Sequence, residues 1–513
     1  YASFVGSETS LSERTPTVIT ANPSILSGDI GVNNDNSDNS YHVIISVKDD
    51  STTVLDGFTI TNGNASHGGE ITVESFSIYK NGGGGLKNYL SSPSVVNCTF
   101  TANNAGYGAG IFNSYSSLTL INSIFSANTA SDKGGGIFND LSNLILSIKQ
   151  SNFYANTSAA GGGLYNFEAS PNISNCSFSF NTATNGGGVM HQLGFDATFI
   201  NCTFYGNNAT EHGGGIYNEG GEGGSGRTMA LLTNSIFWGN TKNSDPTVPG
   251  ADIENLITAF SGTGINYSIL QLTNNTTNYP VATSSGLRSG NGMKFAVDPL
   301  FVNANDPDGA DNVLSTADDG LALQNNSPAT EEGSNVGITA TADITGAPRI
   351  QNPRIDMGAY ENQYIPPAPP FRRLYVKPIA TGTGDGSSWA NASDNLQAMI
   401  DSSYLKDEVW VAAGTYKPNA YPPGCTGCTS SSSYAFMLKN QVKVYGSFAG
   451  TETSLSERTP AVIAAHPTIL SGDIGTINYN NDNTSNIVLS ADDDSTTGFD
   501  GFTVTQANDG GLV

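Results

Sequence analysis

The chain has 513 residues, of which 37% are hydrophobic, 13% are charged and 60 are glycine. This composition is too apolar and too weakly charged for a disordered chain, and its length suits two or three ordinary domains or one long solenoid. Forty-five acidic residues against 20 basic ones give a formal charge of −25, which argues against nucleic acid or an anionic membrane as a partner. No apolar run approaches the roughly 20 residues of a membrane span, so we expect none.

A long repeat links the two ends of the chain. The opening residues YASFVGSETSLSERTPTVITANPSILSGDIG return from position 445 as YGSFAGTETSLSERTPAVIAAHPTILSGDIG. The same offset, without a gap, relates Asp49–Thr53 to Asp493–Thr497 and Asp56–Thr59 to Asp500–Thr503. Near-identity over this length indicates recent duplication. We therefore predict tandem modules, with the chain starting inside one module and stopping inside the next.

A shorter repeat occupies residues 80–240. A Gly-Gly-Gly-aliphatic motif and a Phe-x-x-Asn motif both recur about every 26 residues. A unit this short buries its apolar side only by stacking on a neighbour, and three short strands with three turns fit its length. The predicted fold is all-β: a right-handed parallel β-helix with coils about 4.8 Å apart. The recurring apolar residues are Leu86, Ile111, Ile137, Leu164, Val189 and Ile216 in the first motif, and Phe100, Phe125, Phe153, Phe178, Phe204 and Phe237 in the second.

Asparagines recur with the same period. Asparagine tolerates left-handed turns, and stacked side-chain amides can hydrogen-bond along a ladder. We predict one structural ladder with the Phe motif and a second with the Gly motif, where His191 replaces one rung in a structural role. The first comprises Asn103, Asn128, Asn156, Asn181, Asn207 and Asn240, and the second comprises Asn88, Asn113, Asn139, Asn166 and Asn218. Cys98, Cys176 and Cys202 share one coil position with serines, and we expect free buried thiols there.

An acidic loop follows the coils. Calcium prefers six to eight oxygen ligands in a flexible geometry. Aspartates alternate within a glycine-bearing turn and recur shortly after it, so we predict Ca²⁺ there, against the alternative of a solvated acidic loop. The predicted ligands are Asp306, Asp308, Asp311, Asp318 and Asp319.

The second half of the chain shows where modules join. Residues 364–372 are proline-rich and predict a stiff, extended linker. After it, Leu396, Met399 and Ile400 follow Ser393 and Asp394 as a short amphipathic helix, expected to cap the next β-helix. Cys425 and Cys428 form Cys-x-x-Cys in a polar loop, which favours a disulfide over a redox or zinc site because no second ligand pair is visible. The predicted domains are 1–294 (β-helix), 295–363 (closing β segment), 364–372 (linker) and 373–513 (cap and first coils of the next module).

Two family resemblances follow from these motifs. The paired repeats resemble those of chlamydial polymorphic outer-membrane proteins. The pattern around Leu374–Lys377, Gly384–Trp389 and Glu408–Tyr416, with the closing pattern Asp298–Phe301, Asp343–Gly346 and Asp356–Glu361, resembles large secreted β-helix surface proteins of Bacteroidota. In that family the closing pattern precedes assorted surface anchors. The resemblance implies an extracellular, cell-surface protein exported by the type IX system.

The predicted function is non-catalytic: an extracellular structural or adhesive repeat protein forming a fibre, stalk or gliding-type adhesin. Its expected partners are neighbouring modules of the same chain, other fibres of the same kind, a surface polysaccharide or a host receptor. One alternative is a polysaccharide lyase or hydrolase, but the coil cations and carboxylates fall at scattered positions in the sequence and predict no paired constellation. The other is an ice-binding protein, which needs a regular threonine array that the coils do not repeat. The scattered coil cations and carboxylates that bear on the lyase or hydrolase alternative are Lys80, Lys87, Lys133, Lys149, Arg227, Asp132, Asp140, Glu168 and Asp196.

Overall fold

The computed structural model describes the chain except residues 9, 14–15, 34, 141–145, 194–195, 221–227, 249, 256–260, 272–286, 290, 352, 365–371, 423–424, 426–427, 478, 492, 494, 508–510 and 513. It forms two compact units, Tyr1–Ile365 and Pro366–Val513. Both are built from stacks of short parallel strands, which confirms the all-β parallel β-helix. The division between the units falls inside the predicted linker, of which residues 365–371 lie outside the described residues.

The first unit winds through three long parallel sheets and one narrow sheet. Sheet 1 comprises Ser24–Ser27, Phe58–Thr61, Thr99–Thr101, Ile124–Ser126, Asn152–Tyr154, Ser177–Ser179, Thr203–Tyr205, Ile236–Trp238, Ile269–Leu270 and Lys294–Phe295. Sheet 2 comprises Ile44–Val47, Leu86–Tyr89, Ile111–Ser114, Ile137–Asp140, Leu164–Phe167, Val189–Gln192, Ile216–Glu219 and Ile253–Asn255. Sheet 3 comprises Val54–Asp56, Ser94–Val96, Thr119–Ile121, Ser147–Lys149, Asn172–Ser174, Asp196–Ile200, Thr228–Thr233, Ser261–Asn266 and Leu287–Ser289. A hairpin, Glu70–Val73 with Phe76–Tyr79, interrupts the stack.

Sheet 4 is narrow and consists of a fourth strand in the coils, for which three strands were predicted. Its strands lie between the Phe-x-x-Asn turn and the Gly-Gly-Gly turn, and isolated bridges at Thr157 and Ala160 join its two parts. They are Asn64–Ala65, Asn104–Tyr107, Thr129–Lys133, Thr182–Asn185, Asn208–His212 and Thr241–Lys242.

The phenylalanines of sheet 1 form the centre of the core. Each lies directly over the equivalent residue of the next coil, and successive ring centroids are 4.4–5.0 Å apart in nearly parallel planes. All six are fully buried. Because burial of one such side chain contributes roughly 1.5–3 kcal/mol, the column stabilises the stack at every coil.

Residues 296–363 make up nearly all of the predicted closing β segment, 295–363. They contain no named strand in their described part, only isolated bridges such as Phe301 with Leu323. The segment lies along the outer face of sheet 1, where Ala359 N donates to Thr203 Oγ1 over 2.9 Å and Asn152 Nδ2 donates to Ser315 Oγ over 2.6 Å. The reason is that the last coils carry outward apolar residues, including Ile236 and Trp238, which this segment covers. We call residues 296–363 the buttress.

The second unit has three parallel sheets. The helix Leu396–Ser402 packs against the first strands, with its Asn395 cap accepting a hydrogen bond from Ala398 N over 3.0 Å. Its buried Leu396 and Ile400 join the core of this unit, as expected for the predicted amphipathic helix. The strands are Arg373–Val376, Glu408–Ala412, Lys443–Phe448 and Gly498–Asp500; Gly414–Tyr416, Thr468–Ser471 and Phe502–Thr505; and Phe436–Met437, Asn486–Leu489 and Gly511–Leu512.

The long repeat folds alike in both units. Helix Pro16–Ala21 and strand Ser24–Ser27 recur as Pro460–Ala465 and Thr468–Ser471, with the same bounds after the offset. Short 3₁₀ turns also recur, at Leu11–Glu13 and Leu455–Glu457. Further 3₁₀ turns are Trp389–Asn391, Ser431–Ser433 and Asn480–Asp482. None of the helices in the described residues has the length and apolar character to cross a bilayer.

Candidate functional site

An outward-facing row on sheet 2 is aromatic where a solvated sheet face is ordinarily polar. It follows the Gly-Gly-Gly-aliphatic motif by one residue, so strand alternation turns it away from the core. Its members lie in register, one per coil: Lys87, Phe112, Phe138, Tyr165, Met190, Tyr217 and Glu254. Its middle residues are nevertheless buried, with Tyr165 only 1% exposed, because side chains on both sides rise above them.

The first wall precedes the glycine turn. Tyr107, Lys133, Ala160, Asn185 and His212 pair in register along it. A glycine with positive φ follows each of them, and a Cβ there would lie 2.3–2.5 Å from a carbonyl oxygen of the next strand. Only glycine permits so sharp a return, so the repeated motif is what folds this wall against the aromatic row. These glycines are Gly108, Gly134, Gly161, Gly186 and Gly213.

The second wall follows the row by two residues. It carries Tyr89, Ser114, Asp140, Phe167, Gln192 and Glu219, again in register. Tyr165 OH donates to Gln192 Oε1, and Gln192 Nε2 donates to Glu219 Oε2 over 2.7 Å. From the opposite wall, Lys133 Nζ lies 5.0 Å from the Tyr165 ring centroid. We call the row and its two walls the aromatic trench.

A polar cluster closes one end of the trench. Glu254 accepts from Lys242 Nζ over 3.0 and 2.9 Å and from Gly213 N over 3.0 Å. His212 Nδ1 lies 3.0 Å from the same carboxylate, and the His212 ring stacks on Tyr217 at 5.1 Å. Burial, reinforced by Glu219 and Glu254, raises the pKa of Tyr217. The cluster thus presents an oriented imidazole beside a protonated phenol.

The other end holds a buried lysine. Lys87 is 3% exposed, and its ammonium lies 3.3 Å from the Phe112 ring centroid. Burial lowers the pKa of Lys87 to about 7, against the attraction of Asp140. Burial also raises the pKa of Asp140, which accepts from Ser114 Oγ over 3.2 Å.

The coil charges are therefore less scattered than the sequence indicated. Lys87, Lys133 and Asp140 occupy the trench. Asp132 raises the pKa of Tyr107 through a hydrogen bond, and burial together with Glu219 and Asp132 raises the pKa of Tyr165. The sequence did contain a signal for the trench. The residue after each aliphatic residue of the Gly-Gly-Gly motif keeps the same period, and strand alternation turns it outward. What the sequence could not supply is the folding of the glycine turn that brings Lys133 over Tyr165.

The predicted asparagine ladder is continuous. Each Oδ1 accepts from the backbone N–H and the side-chain amide of the preceding rung, over 2.9–3.1 Å, from Asn103 to Asn240. In the second set, Asn88 Nδ2 donates to Asn113 Oδ1 over 2.6 Å, and His191 lies in register with its neighbours. Cys98, Cys176 and Cys202 are free and buried, and burial raises their pKa values. Cys425 and Cys428 form a disulfide with Cα atoms 6.0 Å apart.

The acidic loop binds its own backbone. Asp318 Oδ2 accepts from Ala310 N and Asp311 N over 2.9 and 3.2 Å. Asp319 accepts from Ser315 N over 2.9 Å and from Tyr360 OH over 2.8 Å. Asp311 Oδ1 accepts from Val313 N over 2.9 Å.

The other two predicted ligands, Asp306 and Asp308, lie near Tyr154. Burial and the nearby Asp308 and Asp306 raise the pKa of Tyr154. Across the described residues, no three acidic, histidine or cysteine side chains are grouped closely enough to hold a metal ion. The structure thus does not gather the five predicted calcium ligands.

A buried arginine fixes the buttress. Arg349 Nη2 donates to the carbonyl oxygens of Asp356 and Gly358 over 3.0 and 2.7 Å, and its Nε lies 3.8 Å from Glu361 Oε2. Glu361 N donates to Asp343 Oδ2 over 3.0 Å. Two of the three closing motifs that carry the family resemblance, Asp343–Gly346 and Asp356–Glu361, are thus joined beside one fully buried guanidinium, which the sequence pattern did not indicate.

The comparisons with known proteins are distant. No protein-family model matches the chain, and no curated protein matches it significantly. Among solved structures, a PL6 family alginate lyase, AlyGC, is similar with 11% identity and a TM-score of 0.22, over 90% of this chain and 59% of the lyase. An arginine-to-alanine mutant of that lyase gives 10% identity and a TM-score of 0.21, over 91% of this chain and 69% of the mutant. The chain thus spans less than two thirds of the first lyase chain.

Proposed function

We propose that the chain is a non-catalytic, extracellular structural and adhesive repeat protein. The observation that carries the proposal is the pair of side-chain columns, phenylalanine and asparagine, which continue from coil to coil. Each coil depends on its neighbours, so the stack resists local opening by proteases or by pulling. Repeated modules would multiply weak surface contacts.

The buttress supports the same function. It ties coils that are far apart in sequence, since Gln150 Nε2 donates to Asp343 O over 2.7 Å and Asn234 Nδ2 donates to Ser334 O over 3.0 Å. A pulling force on the coils therefore also loads these contacts. Secretion and surface attachment, which the resemblance to Bacteroidota proteins implies, are part of this proposal. Both are compatible with a formal charge of −25.

Force spectroscopy of the purified chain, with electron microscopy and antibody labelling of intact source cells, tests the proposal. We expect surface labelling, and unfolding of the first unit in one high-force event rather than coil by coil. Labelling only after lysis, or stepwise low-force unfolding, would contradict it.

The alternative is a polysaccharide lyase or hydrolase, favoured by one observation: the His212, Tyr217, Lys242 and Glu254 cluster at the end of the trench. His212 and Lys242, however, both contact the Glu254 carboxylate. Incubation with neutral and acidic polysaccharides would decide between the two functions. Release of unsaturated or reducing ends, lost in His212→Ala, would establish the enzyme.

A further inference from the structure

The aromatic trench lies outside the main core of the coils. Its row points away from the core column of sheet 2, and the two sets of side chains form separate apolar clusters. A contiguous apolar strip on an outer face, rimmed by polar groups, marks a binding surface. Here the strip is supported from below by a sheet, and the rim is accessible: the wall residues Tyr107, Phe167 and Gln192 are half-buried, as is Phe112 at one end of the row.

The trench repeats at the spacing of the coils. Phe112, Phe138 and Tyr165 have successive ring centroids 5.1 and 5.2 Å apart. On either side, each coil adds one wall residue, so the polar groups repeat with the same step. A matching ligand is a linear polymer whose units are similar in length to this step, and a pyranose in an extended glycan meets that requirement.

The chemistry of the walls also suits a sugar. Aromatic side chains such as Phe167 pack against the C–H faces of a pyranose, while carboxylates and amides accept and donate hydrogen bonds to its hydroxyls. Glu219 and Gln192 already bond to each other, which holds both in place. His212, whose side chain is 43% exposed, is oriented by Glu254 and Tyr217.

The charge of the trench selects among glycans. Asp132, Asp140, Glu219 and Glu254 surround its tyrosines, while Lys242 is paired to Glu254 and Lys87 is buried. In the described residues this leaves Lys133 as its accessible unpaired lysine, within a chain of charge −25. A uronate or sulfated polymer would be repelled, whereas a neutral or amine-bearing one would not.

We propose that the aromatic trench binds an extended glycan chain that is neutral or carries amino groups. The inference rests on the proposed adhesive function and names its ligand class. It does not depend on whether modules form fibres.

Calorimetric titration of the full 513-residue chain tests the proposal. The probes are glucosamine hexamer, cellohexaose, a disaccharide of each, and alginate hexamer. We expect a hexamer to bind at least tenfold more tightly than its disaccharide, because it reaches more coils, and alginate not to bind. Phe167→Ala and His212→Ala should each weaken binding about fivefold or more. Leu231→Ala, an exposed apolar residue on sheet 3, should leave it unchanged.

Three outcomes would overturn the proposal. They are preferential binding of alginate, binding that the two trench variants do not weaken, and no binding of the neutral or amine probes by folded protein. Circular dichroism of each variant separates loss of binding from loss of fold. Surface labelling and high-force unfolding without glycan binding would leave the structural function standing and remove this inference alone.

Discussion

Asn156 and Asn181 are joined twice: the backbone N–H and the side-chain amide of Asn156 both donate to Asn181 Oδ1, each over 3.0 Å. The same amide donates to Phe125 O over 2.8 Å. One fully buried side chain thus satisfies groups on both neighbouring coils. The asparagine repeat is therefore a requirement for hydrogen bonding, in addition to a preference for turn conformation.

Asn156→Leu should be strongly destabilising. It leaves Phe125 O without its amide donor and Asn128 N without an acceptor, and Asn128 Nδ2 keeps only its bond to Phe100 O. Since each orphaned buried group costs about 1–3 kcal/mol, we expect a loss of roughly 3–5 kcal/mol. Urea unfolding measures it, with Asn172→Leu on the exposed face of sheet 3 as control. Equal effects of both substitutions would refute the ladder's role.

Gly161→Ala should cost more than a positive φ alone. Gly161 has φ +64°, and a Cβ would lie 2.5 Å from Leu164 O. Gly346 has φ +85° with open space around its Cβ position, so Gly346→Ala reports the conformational cost, about 1 kcal/mol. We expect Gly161→Ala to lower the thermal midpoint clearly further. If the two midpoints fall equally, the trench wall does not need its glycines for close approach.

The core and the ladders could be predicted from sequence because they obey one period. Phe153 stacks on Phe125 and Phe178 because all three keep the same place in their coils. The trench needed one more step, since the outward direction of Tyr165 follows from alternation but its burial follows from the glycine turn. The buttress could not be predicted, because no period places Arg349 against residues of another segment.

Arg349→Met should release the buttress. Removal of the guanidinium leaves two carbonyls buried without their donor and takes the positive charge away from the buried Glu361, a loss of roughly 3–5 kcal/mol. We expect rapid cleavage within residues 296–363 on limited proteolysis, followed by mass spectrometry. Adding Glu361→Gln to this variant should recover part of the resistance, since it removes one of the buried acidic groups that lost the positive charge of Arg349. An unchanged cleavage rate in Arg349→Met would contradict the buttress assignment.

Calcium should have little effect on the acidic loop as it is folded. Asp318 and Asp319 would have to give up backbone N–H groups to ligate an ion, so we expect calcium or a chelator to leave the thermal midpoint unchanged within about 1 °C. Magnesium serves as the control for ionic strength. A midpoint that rises with calcium alone, and no longer does so in Asp318→Asn, would establish the site predicted from the sequence.

Asp319 should make the stability of the first unit depend on pH. Burial raises the pKa of Asp319 to about 6, against hydrogen bonds from Tyr360, Thr316 and Ser315, compared with 3.8 when unfolded. The native state then holds the proton more tightly than the unfolded state. Its contribution to stability is full below pH 4 and is lost as the pH rises through 6, on the order of 3 kcal/mol in all. Unfolding of the wild type and Asp319→Asn between pH 4 and 7 should show their difference in stability changing over this interval.

Asp318→Asn is the matched control with the opposite sign. Hydrogen bonds, first from Thr316, lower the pKa of exposed Asp318, so the contribution of Asp318 to stability is lost as the pH falls. If the wild type and Asp319→Asn differ by the same amount at every pH, Asp319 is ionised throughout and its hydrogen bonds outweigh its burial.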